Sequence, residues 1–166
     1  MDHPQIDEFL RTHAPADVQN TIAWLSANGY ALVSHEGGDS TFGAQLVFAQ
    51  ESEVRITVDR SQWFLDIAPT PGSEAWQYDL LLAAHRGLDY GELFPDAGSR
   101  SWGDALPDQL PEGVSWRDTL PDILPWVRGD AVAELVDRAL HQRFALMWPQ
   151  ERMPRRRKST WRRLFR

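Results

Sequence analysis

The stretch Glu53-Val-Arg-Ile-Thr-Val-Asp-Arg-Ser-Gln-Trp-Phe-Leu-Asp-Ile-Ala68 decides the fold class. Val54, Ile56 and Val58 alternate with Glu53, Arg55 and Thr57, the two-residue period of a strand with one covered face. Asp59-Arg60-Ser61-Gln62 makes a short reversal, and Trp63 to Ala68 reads as the next strand. Upstream, Tyr30 to Ser34 and Phe42 to Ala49 read as two further strands around the polar turn Gly37-Gly38-Asp39-Ser40. Connections this short exclude parallel pairing, which needs a crossover of a dozen or more residues, and so indicate an antiparallel meander.

Helical spacing flanks this sheet. Ile6, Phe9 and Leu10 behind Pro4 predict a short N-terminal helix ending near His13-Ala14-Pro15. Asp17 is the expected N-cap of a helix to about Asn28, with Val18, Ile22 and Leu25 on one face and Gly29 as its stop. After Pro69, Pro71 and Gly72, a helix is expected from about Ser73 to Arg86, packing through Trp76, Leu80, Leu81 and Ala84 and stopped by Gly87. Residues 88–115 have no sustained period and read as mostly loop. From Trp116 a helix interrupted by Pro121 and Pro125 is expected, short or kinked. Gly129-Asp130 separates it from the best helix of the chain, Asp130 to about Trp148. Asp130 is its expected cap, and its apolar stripe is Val132, Leu135, Val136, Ala139, Leu140, Phe144 and Met147. The fold expected is a single α+β domain: an antiparallel β-meander of about four strands with helices packed on one face.

Charge divides the chain in two. Residues 150–166, QERMPRRRKSTWRRLFR, hold eight of the 17 Lys+Arg residues and one acid, a net of +7. The 149 residues before them carry nine bases and 23 acids, a net of −14, which leaves −7 for the whole. The expected organisation is therefore an acidic α+β domain, 1–149, and a basic, flexible tail, 150–166. An acidic body favours basic partners; a basic tail attracts nucleic acid and anionic lipid. Arg155 to Lys158 followed by Trp161, Leu164 and Phe165 interleaves aromatics with guanidinium groups, as membrane-surface or nucleic-acid segments do. The plainer reading, which is preferred, is a solvated end attracted to the acidic body.

With 166 residues, 42% of them hydrophobic, the chain can bury a core without staples. Cysteine is absent, which excludes disulfides and thiolate chemistry. The start, MDHPQIDEFL, is acidic and has no long apolar run, unlike a secretory signal, and no stretch approaches the ~20 apolar residues of a membrane span. The localisation expected is cytoplasmic. His3, His13, His35, His85 and His141 are scattered without ligand spacing. Gly37-Gly38 is followed by an acid and a strand, not by a phosphate loop's lysine and helix, and no GxSxG elbow occurs. No enzyme activity, metal, cofactor or small-molecule substrate is expected. Trp24, Trp63 and Trp76 read as packing residues. Trp102, Trp116 and Trp126 lie in the proline-rich region, where tryptophans either cover the sheet or anchor an interface.

The order of elements, with Val54 to Ile67 leading into Trp76-Gln-Tyr-Asp-Leu-Leu-Leu82 and then the Leu-Pro run Ala105 to Trp116, resembles the small α+β immunity proteins of bacterial polymorphic-toxin systems. The resemblance covers roughly residues 17–147 and carries no diagnostic motif. It implies a protein that binds and neutralises one cognate toxin or effector domain by direct contact. The alternatives are a chaperone or adaptor for a secreted effector, or a module that contacts nucleic acid or membrane weakly through the tail. The expected partner-binding residues lie in turns and lid: Glu36, Asp39, Asp96, Asp104, Asp108 and Glu112, with Trp102 as the anchor between them.

One stability prediction follows from the punctuation by Pro149 and Pro154. Deleting residues 152–166 is expected to lower stability by less than about 2 kcal/mol, the range of surface changes. Thermal unfolding of the two chains checks it.

Overall fold

The computed structural model describes residues 3–37, 43–99 and 110–148. Among these residues it is an α+β fold in which six α-helices accompany a five-stranded antiparallel sheet. Strands β1 (Ala31–Glu36), β2 (Ala44–Ala49), β3 (Glu53–Asp59), β4 (Gln62–Ala68) and β5 (Trp76–Gln77) lie side by side in chain order. The meander expected from 53–68 is present with β3 opposite β4 from Glu53↔Ala68 to Asp59↔Gln62. Arg60 and Ser61 turn that hairpin with φ of 50° and 66°. Two consecutive left-handed residues are the backbone of a type I′ turn, whose twist matches that of the strands.

Register puts Leu46, Phe48, Val54, Ile56, Leu65 and Ile67 on one face, and all six are buried. Helices α1 (His3–His13), α2 (Ala16–Ala27), α3 (Tyr78–Arg86), α4 (Tyr90–Leu93), α5 (Trp116–Trp126) and α6 (Val132–Met147) supply the rest of the core. A five-residue 3-10 helix, Pro95–Ser99, follows α4. Within the helical layer α2 packs on α5 and α3 on α6. Phe9 of α1 closes one end of the core against Ala44, Val58 and Trp63. The opposite face carries Gln45, Val47, Arg55, Thr57, Phe64 and Asp66, all half-buried. There Glu53 accepts from Arg55 at 2.6 Å and from the Gly72 amide at 3.0 Å, which pins the β4–β5 loop to the sheet.

Several local expectations are corrected. The helix expected from Ser73 starts at Tyr78, because Trp76 and Gln77 pair with Ile67 and Asp66 as a fifth strand along the free edge of β4. Strand β1 runs to Glu36, beyond Ser34, with its register shifting between Leu32 and Ser34, so that Val33 is the extra residue, 58% exposed. Asp17 is not an N-cap: Pro15 holds that position, and Asp17 lies inside the first turn of α2. Asp130 does not cap α6 either, whose N-cap is Ala131 without a side-chain bond. Residues 88–115 contain α4, closed by a capping box of Asp89 and Glu92. Pro121 and Pro125 do not break α5, which is assigned as one eleven-residue helix. Both prolines face outward, while Trp116, Leu120, Ile123 and Leu124 are buried on the inner face, and Ser115 caps the start by accepting from the Asp118 amide. Packing of that face offsets the two missing amide donors. Phe42 and the turn residues Gly38, Asp39 and Ser40 lie outside the described residues.

The stripe of α6 also differs. Phe144 is 50% exposed, its ring 5.1 Å from that of Trp148, and the core-facing position beside it belongs to Arg143. The reason is Asp79 on α3, whose side chain is 4% exposed. It accepts from Arg143 at 2.8 Å and from the Tyr90 hydroxyl at 2.6 Å. Arg143 also donates to Gln77, and Gln142 bonds both Asp89 and the Tyr90 amide. Burial, with the Asp79 charge beside it, pushes the Tyr90 phenol far above its ordinary pKa, so it stays a donor. This network joins α3, α4 and α6, and removing one partner strands a buried charge. Arg143→Ala is expected to cost about 3–5 kcal/mol, against a change below about 0.5 kcal/mol for a neutral surface substitution at His141, as read by urea unfolding.

Candidate functional site

The end of the sheet where β1 begins and the β2–β3 loop turns borders a surface cleft. Helix α2 stops there in a Schellman motif: the Gly29 amide bonds Ser26 O at 3.2 Å and the Tyr30 amide bonds Leu25 O at 3.0 Å. Gly29 has φ +86°, a left-handed conformation that favours glycine, and the Gln50 side chain lies close beside it. This stop turns Tyr30 inward, where its hydroxyl meets that of Ser52 at 2.8 Å. Ser52 closes the three-residue loop Gln50-Glu51-Ser52, held by a 3.0 Å bond from the Gln50 amide to the Ser52 carbonyl.

Helices α2 and α5 run side by side in the same direction. Asp17 near the start of α2 accepts from the Trp116 amide at the start of α5, and the far ends of both helices border one cleft. The cleft has a volume of about 310 Å³. Trp24, Tyr30, Leu124 and the outward prolines of α5 form its apolar walls; Asn28, Gln50 and Ser52 add polar groups. Arg128, two residues past α5, also lines the cleft and makes an ion pair with Glu51. Both side chains are largely exposed, 40% and 67%, so the pair itself contributes only about 0–1 kcal/mol. The arrangement can take a side chain: apolar rings and prolines, hydroxyl and amide groups, and one exchangeable charge pair line the same open cleft.

The sequence-predicted site residues are not gathered at one place. Glu36 ends β1, Asp96 lies in the 3-10 helix against α4 and α6, and Glu112 sits in the turn before α5, all exposed. Asp39, Trp102, Asp104 and Asp108 fall outside the described residues, as does the basic tail. Of the other tryptophans, Trp116 is buried in the core, and Trp126 packs on it with His85 edge-on at 5.0 Å. Trp63 and Trp76 are half-buried against the core; Trp24 is too, but it also walls the cleft. None of the cleft residues was singled out as a binding residue from the sequence. Gly29 announced the turn that positions Tyr30, but nothing local links Glu51 to Arg128.

Among the described residues no group of three or more His, Asp or Glu side chains is placed to hold a metal ion, and no helix is long and apolar enough to cross a membrane. The chain matches no protein-family model, no curated protein and no solved structure. The cleft is therefore read from its own residues.

Asp17 gives the helix pair a pH signature. Partial burial, reinforced by the nearby Asp118 charge, raises its pKa, outweighing the bonds from the Trp116 amide and Ser115. A raised carboxyl pKa means the folded protein holds the proton more tightly than the unfolded chain. Its contribution to stability therefore falls as pH rises through the window above the ordinary value of about 3.9. Asp17→Asn is expected to match the wild type near pH ~3 and to be the more stable of the two near pH ~7. Denaturant unfolding at both values reads the difference.

Proposed function

We propose that this protein acts by binding another protein, and that it is an immunity-type inhibitor which captures a basic toxin domain. The observation that carries this reading is the cleft at the ends of α2 and α5, about 310 Å³ with aromatic and proline walls. A volume at the small end of the ~300–1,000 Å³ range of ligand clefts takes one inserted side chain readily. Aromatic-walled pockets of this kind concentrate binding energy at protein interfaces. The acidic balance of residues 1–149 supports the same reading from a distance, since it accelerates encounter with a basic surface.

The two contributions separate in an experiment. With a basic toxin domain recovered by pull-down from the source cells as partner, Trp24→Ala is expected to cost about 2 kcal/mol of affinity, mainly through faster dissociation. Raising salt is expected to slow association and leave dissociation nearly unchanged. Surface plasmon resonance resolves both rates. Unchanged affinity for Trp24→Ala together with salt-independent association would remove the cleft and the charge from the interface.

A further inference from the structure

Resting on the protein-binding reading, we infer that the cleft recognises an arginine of the partner, and that Arg128 occupies the place of that guanidinium in the free protein. Arg128 and Glu51 are 77 positions apart, yet they pair in a cleft that both line. The carboxylate therefore already accepts a guanidinium at this point. With Glu51 67% exposed and Arg128 40% exposed, the internal pair is weak and open to exchange.

The walls favour guanidinium over ammonium. A planar, weakly hydrated guanidinium stacks on aromatic rings such as that of Trp24, which lines the cleft, while its fork matches a carboxylate in two parallel bonds. The Asn28 amide group donates to Trp24 O at 2.8 Å, which leaves its carbonyl oxygen at the rim as a further acceptor. A lysine offers a point charge and a strongly hydrated head, and gains little from these walls. Exchange leaves the charge count of the cleft unchanged: one cation enters and Arg128 swings out, free to meet an acid of the partner. Its removal should therefore help a basic ligand by more than its charge alone.

Titrations of the full chain with tetra-arginine and tetralysine peptides, followed at the Trp24 indole resonance, test this. Tetra-arginine is expected to bind about tenfold more tightly than tetralysine, and Glu51→Gln to abolish the preference. Arg128→Ala is expected to tighten tetra-arginine binding about fivefold, while Arg138→Ala, the same charge change at an exposed position of α6, changes it less than about twofold. Equal affinity for the two peptides, or equal effects of the two alanine variants, would overturn the inference. A toxin domain that loses affinity with Trp24→Ala but responds alike to Arg128→Ala and Arg138→Ala would leave the protein-binding reading standing and remove only the arginine.

Discussion

The structure depends on one constraint: a meander with a single apolar face has to cover that face with everything else the chain contains. Leu46, Phe48, Val54, Ile56, Leu65 and Ile67 form a continuous surface, and apolar area removed from water contributes about 25 cal/mol per Å². Every helix that adds to the main core does so from this side. The opposite face can then remain polar, with Arg55 and Glu53 bonded within their own strand. Because β1 and the β2–β3 loop meet at one end of the sheet, the helices that overlap this end, α2 and α5, leave a cleft against the loop.

That origin explains why the cleft has apolar walls on an acidic molecule. Trp24 and Leu124 belong to the same faces that pack the core, and the prolines of α5 are turned out by the burial of Leu120 and Ile123. The lining itself holds one acid and one base, Glu51 and Arg128. They form an ion pair, and Asp118 and Asp122 are exposed along α5. In the proposed role, charge governs encounter and selection, whereas contact with Trp24, Leu124 and the prolines governs residence. The proposed capture of a basic domain uses both.

Legibility in the sequence followed range. The β3–β4 hairpin was readable from residues 53–68 because alternation and turn lie within one short window. Gly29 and Gly87 were readable because a left-handed stop is a local requirement, and both residues have positive φ. Trp76 and Gln77 were misread as helix, since only the free edge of β4 makes them a strand. Asp17 offered the chemistry of a cap, but its carboxylate is used 99 positions away at Trp116. Arg143 and Phe144 exchanged places for the same reason: a buried Asp79, 64 positions distant, claims the guanidinium and turns the phenyl ring outward. The acids of the turns and lid stand out by composition and turn position alone. A pocket made by three segments far apart in the chain leaves no such mark.

The most direct test of the central claim is a map of amide and indole chemical shifts of the full protein, free and bound to the proposed toxin partner. The account predicts that the largest changes cluster at Trp24, Tyr30, Glu51, Leu124 and Arg128, around the cleft. Changes confined to Gln45, Val47, Thr57 and Phe64 would instead place the interface on the polar face of the sheet and contradict it.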